Sequence, residues 1–354
     1  MSTFTLQLGA NYNGNSTRFK VWAPEKKVHI ISDNKEIEME PSDNGYLEKE
    51  LADAGPGNRY KLRINNGLIL PDPVSRFLPE GLNGETEIID PISFKWEDQN
   101  WKGIKLEELI IYELHVGTFS KDGDYKGIRE KIPLISYMGN TCVEFMPLSE
   151  FQGKRGWGYD GINLYAPFHM YGRPEDLKST VNELHKNNIA AGLDIVINHT
   201  GPGGEKFFEP FGPYLTDRFL TPWGQSFDFN IAEVRDHIIS NILYLASEYH
   251  FDVFRIDASE YVLDDSKKHI LAEIRERLDE LSIELGRKII LIDEDFTNSL
   301  RNLEEFNHDG EWAFDPGYAL IKTLEPDERT GWFIDFNGVK DLGDALVNPH
   351  CVHN

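Results

Sequence analysis

Apolar and polar positions follow two different rhythms along this chain, and the change falls near residue 105. Before it, the apolar runs are short, partly alternating and cut by turn residues, as in "STRFKVWAP", "KKVHIISD", "GYLEKEL" and "NNGLILPDP". A period of two broken by Gly, Pro and Asn predicts an antiparallel β-sandwich over residues 1–100, with no helix. After it, buried-type runs alternate with amphipathic stretches. "LIIYELHVGTF", "GNTCVEFMPL", "AAGLDIVINH", "FDVFRIDAS", "KIILIDEDF" and "EWAFD" read as strands, and "PEDLKSTVNELHKN", "AEVRDHIISNILYLASEY" and "DSKKHILAEIRERLDELSIEL" as helices. Strand and helix in regular alternation predict an α/β class with a parallel sheet over residues 106–354. The polar segment 97–105, "EDQNWKGIK", joins the two parts.

Length agrees with two domains, since 354 residues exceed what one small core needs. Charge narrows the partners. Thirty-six Lys and Arg stand against 60 Asp and Glu, and the net charge of -24 repels phosphate backbones and anionic lipid surfaces. The expectation is therefore no nucleic acid and no membrane partner. No apolar stretch approaches the ~20 residues of a membrane span, and "MSTFTLQLGANYNG" lacks the features of a secretory leader. With Cys142 and Cys351 as the only cysteines, no disulfide framework or cysteine metal site is expected. A cytoplasmic location fits these features.

The predicted strands end in polar groups: Glu113 and His115, Glu144, Asp194 with Asn198 and His199, Arg255 with Asp257, then Asp293, Glu294 and Asp295. In a β/α barrel the C-terminal strand ends form the active face. Helix capping explains one such residue, but not five strands in succession. Asp257 closes "FRID" and Glu294 follows "IILID", so neighbouring strands would set two carboxyls across one cleft. That pairing suits retaining glycoside cleavage, which uses one ionised nucleophile and one proton-donating acid. Arg255, two residues earlier on the same strand face, is expected to keep Asp257 ionised.

"DIVINH" (194–199), "FRIDA" (254–258) and "IDED" (292–295) resemble, in order and spacing, the first three signature regions of the α-amylase family, glycoside hydrolase family 13. "YELHVGTFS", "MPLSEFQGKRGWGYDGINLYAP" and "PDPVSRFLPEG" are most similar to the group of that family that releases trehalose from maltooligosyltrehalose. The resemblance implies a (β/α)8 barrel preceded by an immunoglobulin-like sandwich. It implies Asp257 as nucleophile, Glu294 as general acid/base and Arg255 as the nucleophile's partner. Asp194, Asn198 and His199 match the first region, with His199 bonding the sugar at the cleavage point. Tyr159 matches the residue on which that sugar stacks, Trp157 is expected to contact glucan, and no cofactor or metal is implied. The chain departs from the pattern at Val253, where the family has Gly, and at Glu260, where this group has His on the acceptor side.

The family's third carboxylate lies in an Asn-His-Asp triplet after barrel strand seven. This chain has Asn307-His308-Asp309, but only 15 residues past Glu294, half the length of one βαβ unit. The triplet therefore reads as a loop before strand six. No later apolar strand ends in Asp, so the expectation is about six of eight barrel units, with a complementing chain or a homodimer covering the open edge. The expected activity is α-retaining hydrolysis of α-1,4-glucosidic bonds. A branching-enzyme-like transferase and a non-catalytic glucan-binding fragment are the alternatives.

Overall fold

A computed structural model describes residues 4–327 and 331–349; Cys351 lies outside the described residues. In the N-terminal part, strands Gly9–Tyr12, Thr17–Trp22, Tyr46–Leu51 and Glu40–Pro41 form one antiparallel sheet in that spatial order. Lys35–Glu38, Val28–Ser32, Arg59–Ile64 and Ile69–Leu70 form another, with Thr86–Glu87 added on Arg59–Ile64. Their alternation places Phe19, Val21, Ile30, Tyr60 and Leu62 inside, with the Phe19 and Tyr60 rings edge to face at 4.9 Å.

The second part is built on one parallel sheet, taken here as barrel strands one to six: Ile111–Leu114, Cys142–Phe145, Ala190–Ile195, Val253–Ile256, Ile290–Asp293 and Gly310–Glu311. Strands two to five are buried on both faces, which is why they are continuous apolar runs. Helices cross between them. Pro174–Lys186 opens with Pro in its first turn and buries Leu177, Val181 and Leu184 along one stripe. Ile270–Leu285 stops at Gly286, whose φ of 61° lies in the left-handed region that ends helices. Strands one and six are the two ends of the sheet among the described residues.

One predicted strand departs from the expectation. "EWAFD" does not continue strand six, which covers only Gly310–Glu311. Asp315–Leu324 is helical, because Pro316 sets the backbone angle of a first helical turn. The long connections after strands two and three are not structureless. They fold into antiparallel hairpins, Ser149–Phe151 with Gly161–Pro167 and Leu215–Thr221 with Gly224–Phe227.

The two parts share one core. Trp22 packs edge to face on Tyr214 at 5.0 Å, and the Tyr214 hydroxyl donates to the Trp22 carbonyl at 3.3 Å. Glu248 ties them again, accepting from Arg76 on one side and from Lys178 at 3.0 Å on the other. At the N-terminal ends of the barrel strands, His185 Nδ1 lies 2.8 Å from Asp98 and its Nε2 2.8 Å from Asp252. The polar join is thereby pinned under the sheet.

Candidate active site

Register builds the site. Parallel pairing sets Asp194 opposite Arg255 and Ile256 opposite Asp293, so Asp194, Arg255, Asp257 and Glu294 gather at the C-terminal ends of strands three to five. Arg255 is the hub. Its Nη1 pairs with Asp194 and lies 3.6 Å from Asp257 Oδ1, while Nη2 lies 2.7 Å from Glu294 Oε1. Its guanidinium also sits over the Trp312 ring, 4.7 Å from the centroid.

The neighbours fix these carboxylates. The Tyr159 hydroxyl donates to Asp194 Oδ2 at 2.7 Å, and Asn198 Nδ2 donates to the Asp257 carbonyl at 2.8 Å. Tyr159 is delivered by Gly158, whose φ is 100° and whose place is so tight that a Cβ would come within 2.1 Å of the Pro147 carbonyl oxygen. Only glycine fits there. Directly after Asp257, Ala258 adopts φ 40°, ψ 58°, a conformation that costs a non-glycine residue about 1–2 kcal/mol. That turn aims its N–H at Glu294 Oε2, 3.1 Å away. His199 contacts Asn198 and is held below the usual imidazole range by burial, so its ring is neutral at pH 7.

Arg255 faces three carboxylates, and burial competes with its charge at each. Burial first, then the Asp194 charge, push Asp257 up to about 7, with Arg255 opposing. Asp194 is raised by burial to about 6 although Arg255 opposes this. The guanidinium makes its shortest contacts to Asp194 and Glu294, and from 3.6 Å it favours the charged form of Asp257, the expected sense, against the larger effect of burial.

Other expected residues spread out. Trp157 is 72% exposed and stacks on His115 at 6.3 Å, in a cavity of about 610 Å³ lined by His115, Lys154, Arg155 and Tyr171 and by none of the carboxylates above. Glu260 is half-buried in the turn Ser259–Tyr261, raised by burial and by Asp295 to about 7. The triplet is structural. His308 is buried between Asp293 and the Leu271 carbonyl, and Asp309 pairs with Arg275 at 2.6 Å and Lys288 at 2.8 Å before strand six begins.

Sequence reasoning missed three aromatics. Trp223, at the tip of the second hairpin, stacks on His199 at 4.8 Å with 49% of its surface exposed, and Tyr261 meets it edge to face at 5.4 Å. The turn signal Pro-Trp-Gly was visible, but nothing local says which strand end the hairpin covers. Trp312 reads as an apolar strand residue until the guanidinium is found above it. Among the described residues, no group of three or more His, Cys, Asp or Glu side chains could hold a metal ion.

Comparison with known proteins gives these features a context. Residues 89–211 match the α-amylase catalytic domain. The chain is 38% identical over 346 residues to malto-oligosyltrehalose trehalohydrolase of Saccharolobus solfataricus, covering 95% of this chain and 60% of that protein. It is 40% identical over 328 residues to the Deinococcus radiodurans enzyme of the same name, covering 92% and 53%. The chain thus spans little more than half the length of these relatives. Among solved structures, a putative α-amylase from Salmonella typhimurium superposes with a TM-score of 0.90 at 33% identity, covering 97% of this chain and 60% of that one. A pullulanase from Paenibacillus barengoltzii, in complex with maltohexaose and α-cyclodextrin, gives 0.70 at 27% identity, covering 81% and 53%.

Proposed function

From the premise that this chain carries an α-amylase family catalytic domain, we propose that its strand-end cluster is the acid–nucleophile part of an α-retaining glycoside hydrolase site. The substrate would be an α-1,4-glucan, with release of trehalose from maltooligosyltrehalose. The Asp257 carboxylate attacks the anomeric carbon, Glu294 gives a proton to the departing oxygen, and in the second half Glu294 takes a proton from the water that frees the sugar. Arg255, Asp194 and Asn198 hold these two groups. Tyr159, His199 and, further out, Trp157 and Glu260 contact the sugar. The single observation that supports the reading most is Asp257 and Glu294 held on one guanidinium at neighbouring strand ends.

The organisation that goes with this reading is an immunoglobulin-like sandwich over 1–100, then six units of a β/α barrel from 106 onward. The chemistry also needs a third carboxylate, which a complementing chain or a second copy at the open sheet edge would bring. A cytoplasmic location belongs to the same reading.

A second reading, glucan binding without cleavage, is favoured by one specific observation. Arg255 is shared among three carboxylates, and its contact to Asp257, at 3.6 Å, is the longest of the three, so the intended nucleophile is the one it supports least. The experiment is trehalose release from maltooligosyltrehalose by the purified chain, with Asp257→Asn as the blank and product analysis for α-1,6 links. Release abolished in the variant supports hydrolysis, new α-1,6 links support a transferase, and binding without turnover supports the second reading.

A further inference from the structure

Barrel strand two carries Glu144 into the sheet interior, fully buried, with neither carboxyl oxygen given a hydrogen-bond partner among the described residues. A buried carboxylate without donors is among the least tolerable groups in a protein. Its surroundings show how the problem is solved. Parallel pairing sets Glu144 opposite Gly192, so Asp194, two residues further along, projects from the same face of the sheet. Asp194 Oδ2 is already taken by Tyr159 and Arg255, but Asp194 Oδ1 is buried with no hydrogen-bond partner among the described residues. Gly192 leaves the space between them free of a side chain, and a Cβ there would come within 3.3 Å of the Glu144 Cα and the Cys142 Sγ. Two orphan acids lie on one face, and a proton kept on one of them would remove one charge and supply a donor to the other, leaving a single Glu144 oxygen unpaired.

We propose that Glu144 is a proton-holding positioning residue: its neutral carboxyl donates to Asp194 Oδ1 and fixes Asp194 as the anchor that aims Arg255 at Asp257 and Glu294. The charges acting on it come from every neighbouring element: Asp194 on strand three, Arg255 on strand four, Glu113 on strand one and Glu294 after strand five, with the Cys142 thiol on its own strand. Arg255 is the one cation in that set. Burial first, and the Asp194 charge second, push Glu144 up to about 8, in agreement with the geometry.

The sign follows. The folded state holds the Glu144 proton that the unfolded chain releases near pH 4.3. This contribution to stability is full below the unfolded value and is lost as pH rises through about 8. The consequence for turnover rests on the hydrolase reading, whereas the protonation does not. The test is a carboxyl 13C NMR titration of the whole chain without substrate, with the Glu144 signal assigned through the Phe145 backbone. It is expected to remain in the protonated position at pH 7 and to move with a midpoint near 8. Glu144→Gln keeps a neutral donor, so the variant is expected to fold and to lose less melting temperature than wild type between about pH 5 and about pH 8.5. Where turnover is measurable, the same variant shifts the alkaline limb of the pH profile and leaves KM within about twofold. A Glu144 signal titrating in the ordinary glutamate range overturns the proposal even if the variant does not fold. An unchanged pH slope in a folded variant overturns it too. Absence of trehalose release alongside the raised midpoint would count against the hydrolase reading alone.

Discussion

The two ends of the barrel sheet both bury charge, and they treat it in opposite ways. At the N-terminal end, Asp252 Oδ1 accepts from Trp101 at 2.9 Å and Arg287 at 2.8 Å, and Oδ2 accepts from the Ala191 N–H at 3.0 Å with His185 at 2.8 Å. Each acid there has cationic or N–H partners. Burial alone would raise Asp252, yet the His185 and Arg287 charges hold it below the usual carboxylate range. Burial would lower His185, yet Asp252 and Asp98 raise it. At the C-terminal end, Asp194, Asp257 and Glu294 crowd one guanidinium, and Glu144, Asp194 and Arg255 all keep atoms without a hydrogen-bond partner among the described residues. A satisfied network fixes a structure. An unsatisfied one stores protons and waits for a ligand, which is why the second end reads as the site.

The comparison can be broken by substitution, and the largest effect is expected at the satisfied end. Asp252→Ala leaves His185 and Arg287 buried without their anion and is expected to cost about 3–5 kcal/mol in urea unfolding. Arg255→Gln at the other end is expected to cost less at pH 5 than at pH 8. The carboxylates it strands can take up protons, whereas Arg287 at the N-terminal end cannot shed its own. Equal losses at both pH values would remove the distinction between the ends.

Asp257→Asn sharpens the same point. A folded value of about 7 lies above the unfolded 3.9, so Asp257 contributes stability at low pH that is lost as pH rises through about 7. The variant is therefore expected to unfold with a flatter pH dependence between about pH 4 and about pH 7, read by thermal melts. The smallest effect on stability belongs to Trp223→Ala, at most about 1 kcal/mol for a half-exposed ring, with a several-fold loss of maltooligosaccharide affinity as its signature.

How far the sequence carried the picture follows the same division. The strand ends were legible because "DIVINH", "FRIDA" and "IDED" each place a polar group after an apolar run, and register in a parallel sheet then brings them together without further information. Spacing, set against the strand-seven position that the family resemblance implies, also placed Asn307-His308-Asp309 before strand six, where Asp309 now pairs with Arg275 and Lys288. The protonation pattern was not legible. Whether Arg255 serves Asp257 or Asp194 depends on differences of about an ångström between contacts, which no spacing rule encodes. Trp223 escaped for another reason: a hairpin's destination is set by long-range packing, and its own sequence describes only the turn. The bottom network escaped likewise, since Asp98, His185 and Asp252 lie far apart in the chain.

The most direct measurement is calorimetric titration of maltotetraose into the wild-type chain, His199→Ala and Trp101→Phe. The account predicts binding that His199→Ala weakens by at least about tenfold, or 1.4 kcal/mol, while Trp101→Phe leaves it unchanged. Affinity lost equally in both variants, or untouched by His199→Ala, would contradict the assignment of the crowded end as the glucan site.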